Sequence, residues 1–253
     1  MRDSAALLVD RAPSYCYVSS RSVYRWPIPP GLDERGPVIE GDPTSPDDGS
    51  YPAAKRGGEL AALEVFGERA LVARAGLILG PYEWVGRLPW WLRRLERGGR
   101  VLAPGPADRP LQFIDGRDLA QWMLSAAESK VGGIFNTVSE PGHATMGELL
   151  DACRAVTGSG AELVWTPPDK IAEAGIAPWT ELPIWVPPDG ELVGLHAGDV
   201  SAASKQGLRC RPVVDTVIDT WAWLQAEGDP PSLSDGSVGL NAQREAEVLT
   251  RLF

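Results

Sequence analysis

Two residues in the stretch DDGSYPAAKRGGEL, residues 47–60, have side chains and a spacing suited to proton transfer. Tyr51 and Lys55 are four positions apart, so they share one face if the segment is helical. An ammonium group beside a phenol stabilises the phenolate, and such a phenol can give or take a proton at a carbonyl or carbinol centre. The alternative is that both are polar residues on the outside of a helix.

The elements before and after this pair indicate an α/β arrangement. The run YCYVSS, residues 15–20, is rich in β-forming residues and predicts a strand, while residues 25–50 are dense in Pro, Gly and Asp and predict a loop. The helix that follows is expected to extend to about Phe66. The almost continuous apolar run ALVARAGLILGP, residues 70–81, predicts a strand covered on both faces. The N-cap of the helix that carries Tyr51 and extends to about Phe66 is expected to be Asp47, Asp48 or Ser50.

Strands and helices continue to alternate along the chain. Residues 111–129 predict a strand that leads into a helix, and GGIFNTVS, residues 132–139, predicts another strand. Thr145 and Glu148 form a capping box ahead of an apolar-periodic segment, which predicts a helix. The following part is rich in Trp and Pro and less regular, until residues 213–227 predict a further helix. This alternation predicts a parallel sheet.

Composition excludes several function classes. The formal net charge of −10 disfavours a nucleic-acid partner, and no apolar run is long enough to cross a bilayer. The two histidines are too few and too far apart for a metal site or a Ser–His–Asp triad. The chain has three cysteines, Cys16, Cys153 and Cys210. They are far apart without a metal-binding spacing, which fits a reducing cytoplasm.

Four further motifs give the Tyr–Lys pair a context. They are YVSSRSVY (17–24), RAGLILGP (74–81), FIDGRDLA (113–120) and GGIFNTVS (132–139). With the Tyr–Lys pair, their order and spacing resemble the extended short-chain dehydrogenase/reductases, also called the NAD-dependent epimerase/dehydratase family, over residues 5 to about 225. The resemblance implies that Tyr51 is the catalytic tyrosine and that Lys55 assists it and holds the nicotinamide ribose. It implies that Ser20 hydrogen-bonds the substrate oxygen, with Ser19 as the near alternative.

The resemblance also implies residues that contact the cofactor and the substrate. Ala75, Gly76 and Leu77 match the loop that lines the nicotinamide pocket. Enzymes of the family that act on sugar nucleotides usually have Asn at the position of Leu77, so the leucine argues against such a substrate. Arg109 and Gln112 occupy the region where those enzymes often hold a diphosphate, with a solvated loop as the alternative.

Tryptophans of the C-terminal part are a second candidate set for the substrate pocket. Trp165, Trp179 and Trp185 lie where family members build that pocket, and a ring of indoles would favour a flat or apolar substrate. The alternative is that these residues only pack in a part of the chain with little regular structure.

The family's glycine-rich turn, which binds the cofactor pyrophosphate at a helix N-terminus, has no counterpart before Tyr15. Three explanations stay open. The sequence begins at an internal Met of a longer enzyme, or the other half is a separate chain, or the chain is a non-catalytic ligand-binding or regulatory protein. In the family's strand order, the strand at residues 15–20 lies inside the sheet and pairs with a strand that this sequence lacks, so here it is expected to form a sheet edge. The isolated chain is expected to be aggregation-prone or marginally folded, and to bind NAD(P) very weakly or not at all.

The expected fold class is therefore α/β, a partial Rossmann-like parallel sheet with helices on both faces plus a smaller irregular C-terminal substrate lobe. The expected activity is hydride transfer at a carbinol or carbonyl carbon, with NAD or NADP as cofactor and a small-molecule substrate. A homo-oligomer or a complementary N-terminal half is the expected protein partner, without nucleic acid or membrane. The expected divisions are 1–140 (Rossmann-like remnant, of which 82–112 joins the substrate lobe), 141–227 (substrate lobe) and 228–253 (linker and C-terminal helix).

Overall fold

The computed structural model describes residues 1–44, 50–234 and 236–252. The strands are β1 (Tyr15–Ser20), β2 (Ala70–Ala75), β3 (Leu77–Leu79), β4 (Arg100–Pro104), β5 (Pro110–Leu111), β6 (Phe113–Asp115), β7 (Gly133–Thr137), β8 (Ala144–Thr145), β9 (Glu162–Thr166), β10 (Pro178–Trp179) and β11 (Leu182–Pro183). The helices are α1 (Arg2–Leu8), α2 (Tyr51–Phe66), α3 (Arg87–Glu96), α4 (Gly116–Glu128), α5 (Met146–Thr157), α6 (Pro168–Glu173), α7 (Ser201–Lys205), α8 (Val213–Glu227), α9 (Pro231–Ser234) and α10 (Ala242–Leu252). The α/β fold class is confirmed.

The central sheet has three parallel strands in the order β1-β2-β7. Their register places Ser19 beside Arg74 and Arg74 beside Asn136, so one polar row crosses the sheet. Within the described residues β1 pairs with β2 alone. The prediction that YCYVSS forms a sheet edge is therefore confirmed for the part of the chain that the structure describes.

Helices cover both faces of this sheet, as predicted. On one face, Tyr15 and Tyr17 of β1 pack with Val72 of β2 against Ala62 and Phe66 of α2. On the other face, Leu71 and Ala73 of β2 and Phe135 of β7 pack against Leu119 and Trp122 of α4. Side chains alternate along a strand, so each strand contributes to both layers.

Helix α2 lies unusually close to the sheet because two adjacent glycines face its neighbours. A side chain at Gly57 would collide with the carbonyl of Asp42, and one at Gly58 would collide with the phenol of Tyr17. The Tyr17 hydroxyl instead donates a hydrogen bond to the carbonyl of Lys55. The N-cap residue of α2 is Ser50. The other two cap candidates, Asp47 and Asp48, lie outside the described residues.

The apolar run 70–81, predicted as one strand, is two strands separated at Gly76. A Cβ at this position would lie 2.7 Å from Cγ2 of Val138, so only glycine lets the chain pass here. Beyond it, β3 leaves the central sheet and pairs in parallel with β6. The prediction of a single strand is wrong at this point because apolar composition does not show which partner strand each half pairs with.

The most extensive apolar core lies outside the central sheet. Helices α3, α5 and α8 and the parallel pair β4–β9 build it, and α10 packs on β4. Trp91 and Trp185 are fully buried there, and their indole N–H groups donate to the carbonyls of Pro183 and Gly105. The predicted helix 213–227 coincides with α8. The division into lobes by residue range stays a prediction.

The capping box predicted at Thr145 is confirmed at the start of α5. Thr145 Oγ1 accepts a hydrogen bond from the backbone N–H of Glu148, and the Glu148 carboxylate accepts from the backbone N–H of Thr145. Among the helices of the described residues, none combines the length and the apolar character that crossing a bilayer requires.

Candidate active site

A cavity of about 680 Å³ opens where β1 and β2 end and α2 begins. Ser20 ends β1, Ala75 ends β2 and Tyr51 begins α2, and all three line the cavity. Open α/β sheets bind ligands at the carboxyl ends of their strands, which is where this cavity lies. Its other lining residues are Arg21, Ser22, Trp26, Ile28, Gly76, Leu77, Ile78, Tyr82, Glu83, Trp84, Val85, Arg87, Trp179, Leu192 and Leu195.

The Tyr51 phenol is at the mouth of the cavity, with 61% of the residue exposed. Lys55 Nζ lies 5.6 Å from the centre of the Tyr51 ring and 5.5 Å from that of Tyr17, and it donates a hydrogen bond to the carbonyl of Val18 at 3.0 Å. Burial lowers the pKa of Lys55. The two side chains of the predicted pair are therefore neighbours on one helix face, and the catalytic role of the pair stays a prediction.

Ser20 and Ser19 point to opposite sides of β1. Ser20 lines the cavity, and its hydroxyl accepts a hydrogen bond from the backbone N–H of Ser22 at 3.1 Å. Ser19 is buried under α2 and donates to the Glu59 carboxylate at 2.7 Å. Of the two serines considered from the sequence, only Ser20 has its hydroxyl on the side of the cavity.

A buried ion pair fixes α2 to the strands beneath it. The Glu59 carboxylate has no exposed surface and accepts hydrogen bonds from Ser19, from Arg56 at 2.8 Å, and from Nε and Nη2 of Arg74 at 2.9 and 3.0 Å. Burial would raise the pKa of Glu59, but its bonds to Arg74, Ser19 and Arg56 outweigh burial and hold the pKa below its usual range. Because Glu59 is one helical turn beyond Lys55, the Glu59–Arg74 ion pair holds the part of α2 that carries the lysine against the strands.

The sequence reading missed Glu59 and Arg74, although each had a signal. Arg74 is a charged residue inside an otherwise apolar strand, and Glu59 continues the face that carries Tyr51 and Lys55. Arg74 also lies 4.8 Å from the ring centre of Tyr24.

The loop after β1 is tied to the same polar row. Tyr24 is fully buried and donates its hydroxyl hydrogen to Oδ1 of Asn136 at 2.7 Å. The Asn136 side chain in turn donates to the carbonyls of Leu32 and Asp199, and its backbone N–H donates to the Glu34 carboxylate at 2.7 Å. These bonds connect the loop after β1 and the segment before α7 to β7, the third strand of the sheet.

Three residues named from the family resemblance, Ala75, Gly76 and Leu77, line the cavity floor together. Leu77 is buried and offers an apolar surface where an amide would offer hydrogen bonds. Trp179 also lines the cavity, whereas Trp185 is packed in the core and Trp165 packs against it.

Two charged residues that the sequence reading did not single out line the opposite wall. The Glu83 carboxylate accepts hydrogen bonds from the backbone N–H groups of Arg87 and Leu88, at 2.8 and 3.0 Å, where α3 begins. Burial raises the pKa of Glu83 to about 7, although the two backbone hydrogen bonds and the Arg87 charge act in the opposite direction. The Arg87 guanidinium lies 4.8 Å from the ring centre of Trp179.

The structure does not bring Arg109 or Gln112, named from the sequence as substrate contacts, to this cavity. Arg109 donates to the carbonyls of Val186 and Pro187. Gln112 is fully buried, and its amide is bonded to backbone groups of Ser139 and Gly198. Both side chains therefore hold loops together through backbone carbonyls, which a sequence motif does not reveal.

The fold is that of solved epimerase structures, although no protein-family model and no curated protein matches the chain. The enzyme WbmH of Bordetella bronchiseptica, solved with NAD+, is similar with a TM-score of 0.62 and 18% identity over 90% of this chain and 67% of that one. The UDP-glucuronic acid 4-epimerase of Bacillus cereus, solved with NAD, has a TM-score of 0.55 and 16% identity over 90% of this chain and 67% of that one. The UDP-N-acetylglucosamine 4-epimerase of Methanobrevibacter ruminantium, solved with UDP-N-acetylmuramic acid, has a TM-score of 0.57 and 17% identity over 89% of this chain and 68% of that one. The chain thus spans about two thirds of each of these proteins.

Proposed function

We propose that the cavity at the ends of β1 and β2 is the site of an NAD(P)-dependent oxidoreductase reaction at a carbonyl or carbinol carbon, with Tyr51 as the acid/base. The observation that carries the proposal is that Tyr51 and Ser20 line one cavity while Lys55 Nζ lies 5.6 Å from the centre of the Tyr51 ring. The fold shared with NAD-bound epimerases supports it.

Each of the three side chains has a distinct role in this proposal. In the reducing direction Tyr51 gives its phenolic proton to the carbonyl oxygen as charge develops there. The Ser20 hydroxyl donates a hydrogen bond to the same oxygen and so orients the carbonyl. The Lys55 ammonium, held at the carbonyl of Val18, stabilises the phenolate that remains. Epimerase or dehydratase chemistry would begin with the reverse of this step, in which the Tyr51 phenolate takes the proton of a carbinol hydroxyl while the hydride leaves for the oxidised nicotinamide.

The residues fit the nicotinamide end of a dinucleotide. Tyr51 and Lys55 would hold the ribose, and Ala75, Gly76 and Leu77 would face the nicotinamide ring, which supplies or accepts the hydride when bound. Within the described residues, no glycine-rich turn between a strand and a helix is present to bind a pyrophosphate. The open edge of β1 is where a further strand could pair, from a complementary half or from a second copy of the chain.

The location and the remaining partners follow the same proposal. The three cysteines are unpaired in the structure, which favours a reducing cytoplasm. The negative net charge favours a small-molecule substrate over nucleic acid. The choice between NAD and NADP belongs to the dinucleotide-binding half. A non-catalytic ligand-binding role is the alternative, because Lys55 already has a protein partner in the Val18 carbonyl.

The test joins the chain to the N-terminal dinucleotide-binding half of an extended short-chain dehydrogenase/reductase and follows oxidation of NADH and NADPH with a panel of carbonyl compounds. We expect turnover, and Tyr51→Phe should lower its rate by about 10²- to 10⁴-fold, because the proton donor is removed while the ring stays. Tyr82→Phe is the matched control, since Tyr82 is an exposed phenol of the same cavity without an adjacent lysine.

An unchanged rate in Tyr51→Phe would show that the phenol is not the acid/base. Binding of NAD(P)H without turnover of any carbonyl compound would favour the non-catalytic alternative.

A further inference from the structure

The Arg87 guanidinium in the cavity wall has no hydrogen-bonded partner among the described residues. Its side chain is only 21% exposed, and its nearest carboxylate oxygen, in Glu83, is 3.9 Å away, beyond hydrogen-bond reach. The group lies over the Trp179 ring, 4.8 Å from its centre. Arg21 also lines the cavity, but it donates to the carbonyls of Gly194 and Leu195.

Among the charged groups of the described residues, the Arg87 guanidinium forms only this long ion pair with Glu83, and its planar set of N–H donors is suited to bind an anion through paired hydrogen bonds. Because Arg87 lines the cavity, it is the residue suited to hold an anionic group of a ligand there. Burial lowers the pKa of Arg87, although the charges of Glu83 and Tyr51 act in the opposite direction. Tyr51 and Arg87 line the same cavity. An anion on Arg87 would consequently lie near the proposed acid/base.

Apart from Arg87, Glu83, Arg21 and the two serines Ser20 and Ser22, most residues that line the cavity are aromatic or aliphatic. Trp26, Tyr82 and Trp84 line it and are 41%, 75% and 73% exposed, which is a large apolar surface to leave in contact with water. Tyr82 and Trp179 have positive φ angles of 65° and 69°, a conformation that is uncommon and costly for aromatic residues.

We propose that the cavity binds an aromatic or similarly apolar carboxylate, with its anionic group on Arg87 and its ring between the exposed aromatic side chains. This ligand class rests on the proposed function in one respect, namely that its carbonyl or carbinol carbon faces Tyr51. A sugar nucleotide fits less well, because Leu77 and the indoles would leave most sugar hydroxyls without partners.

Glu83 does not oppose an anion on Arg87 at mildly acidic pH. Its carboxyl group is directed to the backbone N–H groups of Arg87 and Leu88 and takes up a proton as the pH falls through about 7. The binding experiment is therefore run at about pH 6, where this group is mostly neutral.

The experiment measures binding of three probes to the full chain, without cofactor, by ligand-observed NMR titration. The first is benzoylformate, an aromatic 2-oxo acid, the second is its neutral methyl ester, and the third is UDP-glucose. We expect benzoylformate to bind at least about tenfold more tightly than the ester, since only the acid can form the charge-assisted bonds to Arg87. UDP-glucose should bind more weakly than benzoylformate.

Arg87→Met should weaken benzoylformate binding by about ten- to a hundredfold and leave ester binding unchanged. Arg97→Met is the matched control, because it removes the same charge from an exposed position just beyond the other end of α3. If circular dichroism shows that Arg87→Met does not fold, the proposed ligand class is tested by the comparison of benzoylformate and its ester on the unmodified chain alone.

Equal binding of acid and ester, no binding of benzoylformate, or tighter binding of UDP-glucose would each overturn the proposed ligand class. Binding through Arg87 without hydride transfer in the joined protein would leave the ligand class standing and refute the proposed function instead.

Discussion

Glu83→Gln should remove a pH dependence of stability that this one carboxyl group creates. The Glu83 side chain is 5% exposed, and burial raises its pKa from 4.5 to about 7 in the folded protein. Between those two values the folded chain holds a proton that the unfolded chain has lost. The contribution of Glu83 is therefore fully present below about pH 4.5 and is lost as the pH rises through about 7.

The size of the effect follows from the difference between the two pKa values, which is about 2.5. At about 1.4 kcal/mol for each pKa unit, this corresponds to about 3 kcal/mol of unfolding free energy between pH 4.5 and 8. Glutamine has nearly the same shape and does not titrate, so the variant should lack this decline. Its absolute stability should also fall, because an amide oxygen replaces a carboxylate that accepts two backbone hydrogen bonds.

The assay is urea unfolding at about pH 5 and pH 8, compared as the difference between the two conditions. Glu83→Gln should reduce that difference by about 2 to 3 kcal/mol. Glu96→Gln, which changes an exposed carboxylate at the end of α3, is the control and should leave it unchanged. An identical pH dependence in Glu83→Gln and the unmodified chain would refute the assignment of a raised pKa to Glu83.

Three further changes test how the cavity is held in place. Glu59→Gln should lower the unfolding free energy by about 3 to 5 kcal/mol, because Arg74 stays buried without its carboxylate partner. A loss below about 1 kcal/mol in urea unfolding would contradict this expectation. Gly58→Ala should destabilise the chain by about 1 to 3 kcal/mol despite the better helix propensity of alanine, because the added methyl group would collide with the Tyr17 ring. A raised melting temperature would instead show that α2 can move away from this ring. Val18→Lys on the open edge of β1 should shift the isolated chain toward monomer in sedimentation velocity, and an unchanged distribution would argue against pairing through this edge.

Features with a local physical signal could be predicted from the sequence. The capping box at Thr145 depends on two side chains three residues apart, so it is visible in the sequence and holds in the structure. The alternation of strands and helices likewise predicts a parallel sheet with helices on both faces. The position of Ser20 at the end of a strand follows from a short β-rich run.

Features that depend on tertiary packing could not be predicted in the same way. At the break, Gly76 lies against Val138, more than sixty residues away in sequence, and β3 pairs with a different strand from β2. Gln112 matches a substrate-contact region by position, yet the fold uses its amide for backbone carbonyls. Glu83 and Arg87 become part of the cavity only because the segment before α3 turns toward α2 and Trp179.

Isotope transfer tests the central claim, that Tyr51 serves hydride transfer at this cavity, most directly. The chain joined to a dinucleotide-binding half is given NADH with deuterium at the transferable position of the nicotinamide ring and benzoylformate as substrate, and the product is examined by mass spectrometry. The account predicts deuterium on the new carbinol carbon, formed about 10²- to 10⁴-fold more slowly by Tyr51→Phe. Deuterium transfer at the same rate in Tyr51→Phe, or no transfer by a protein that binds both NADH and the 2-oxo acid, would contradict it.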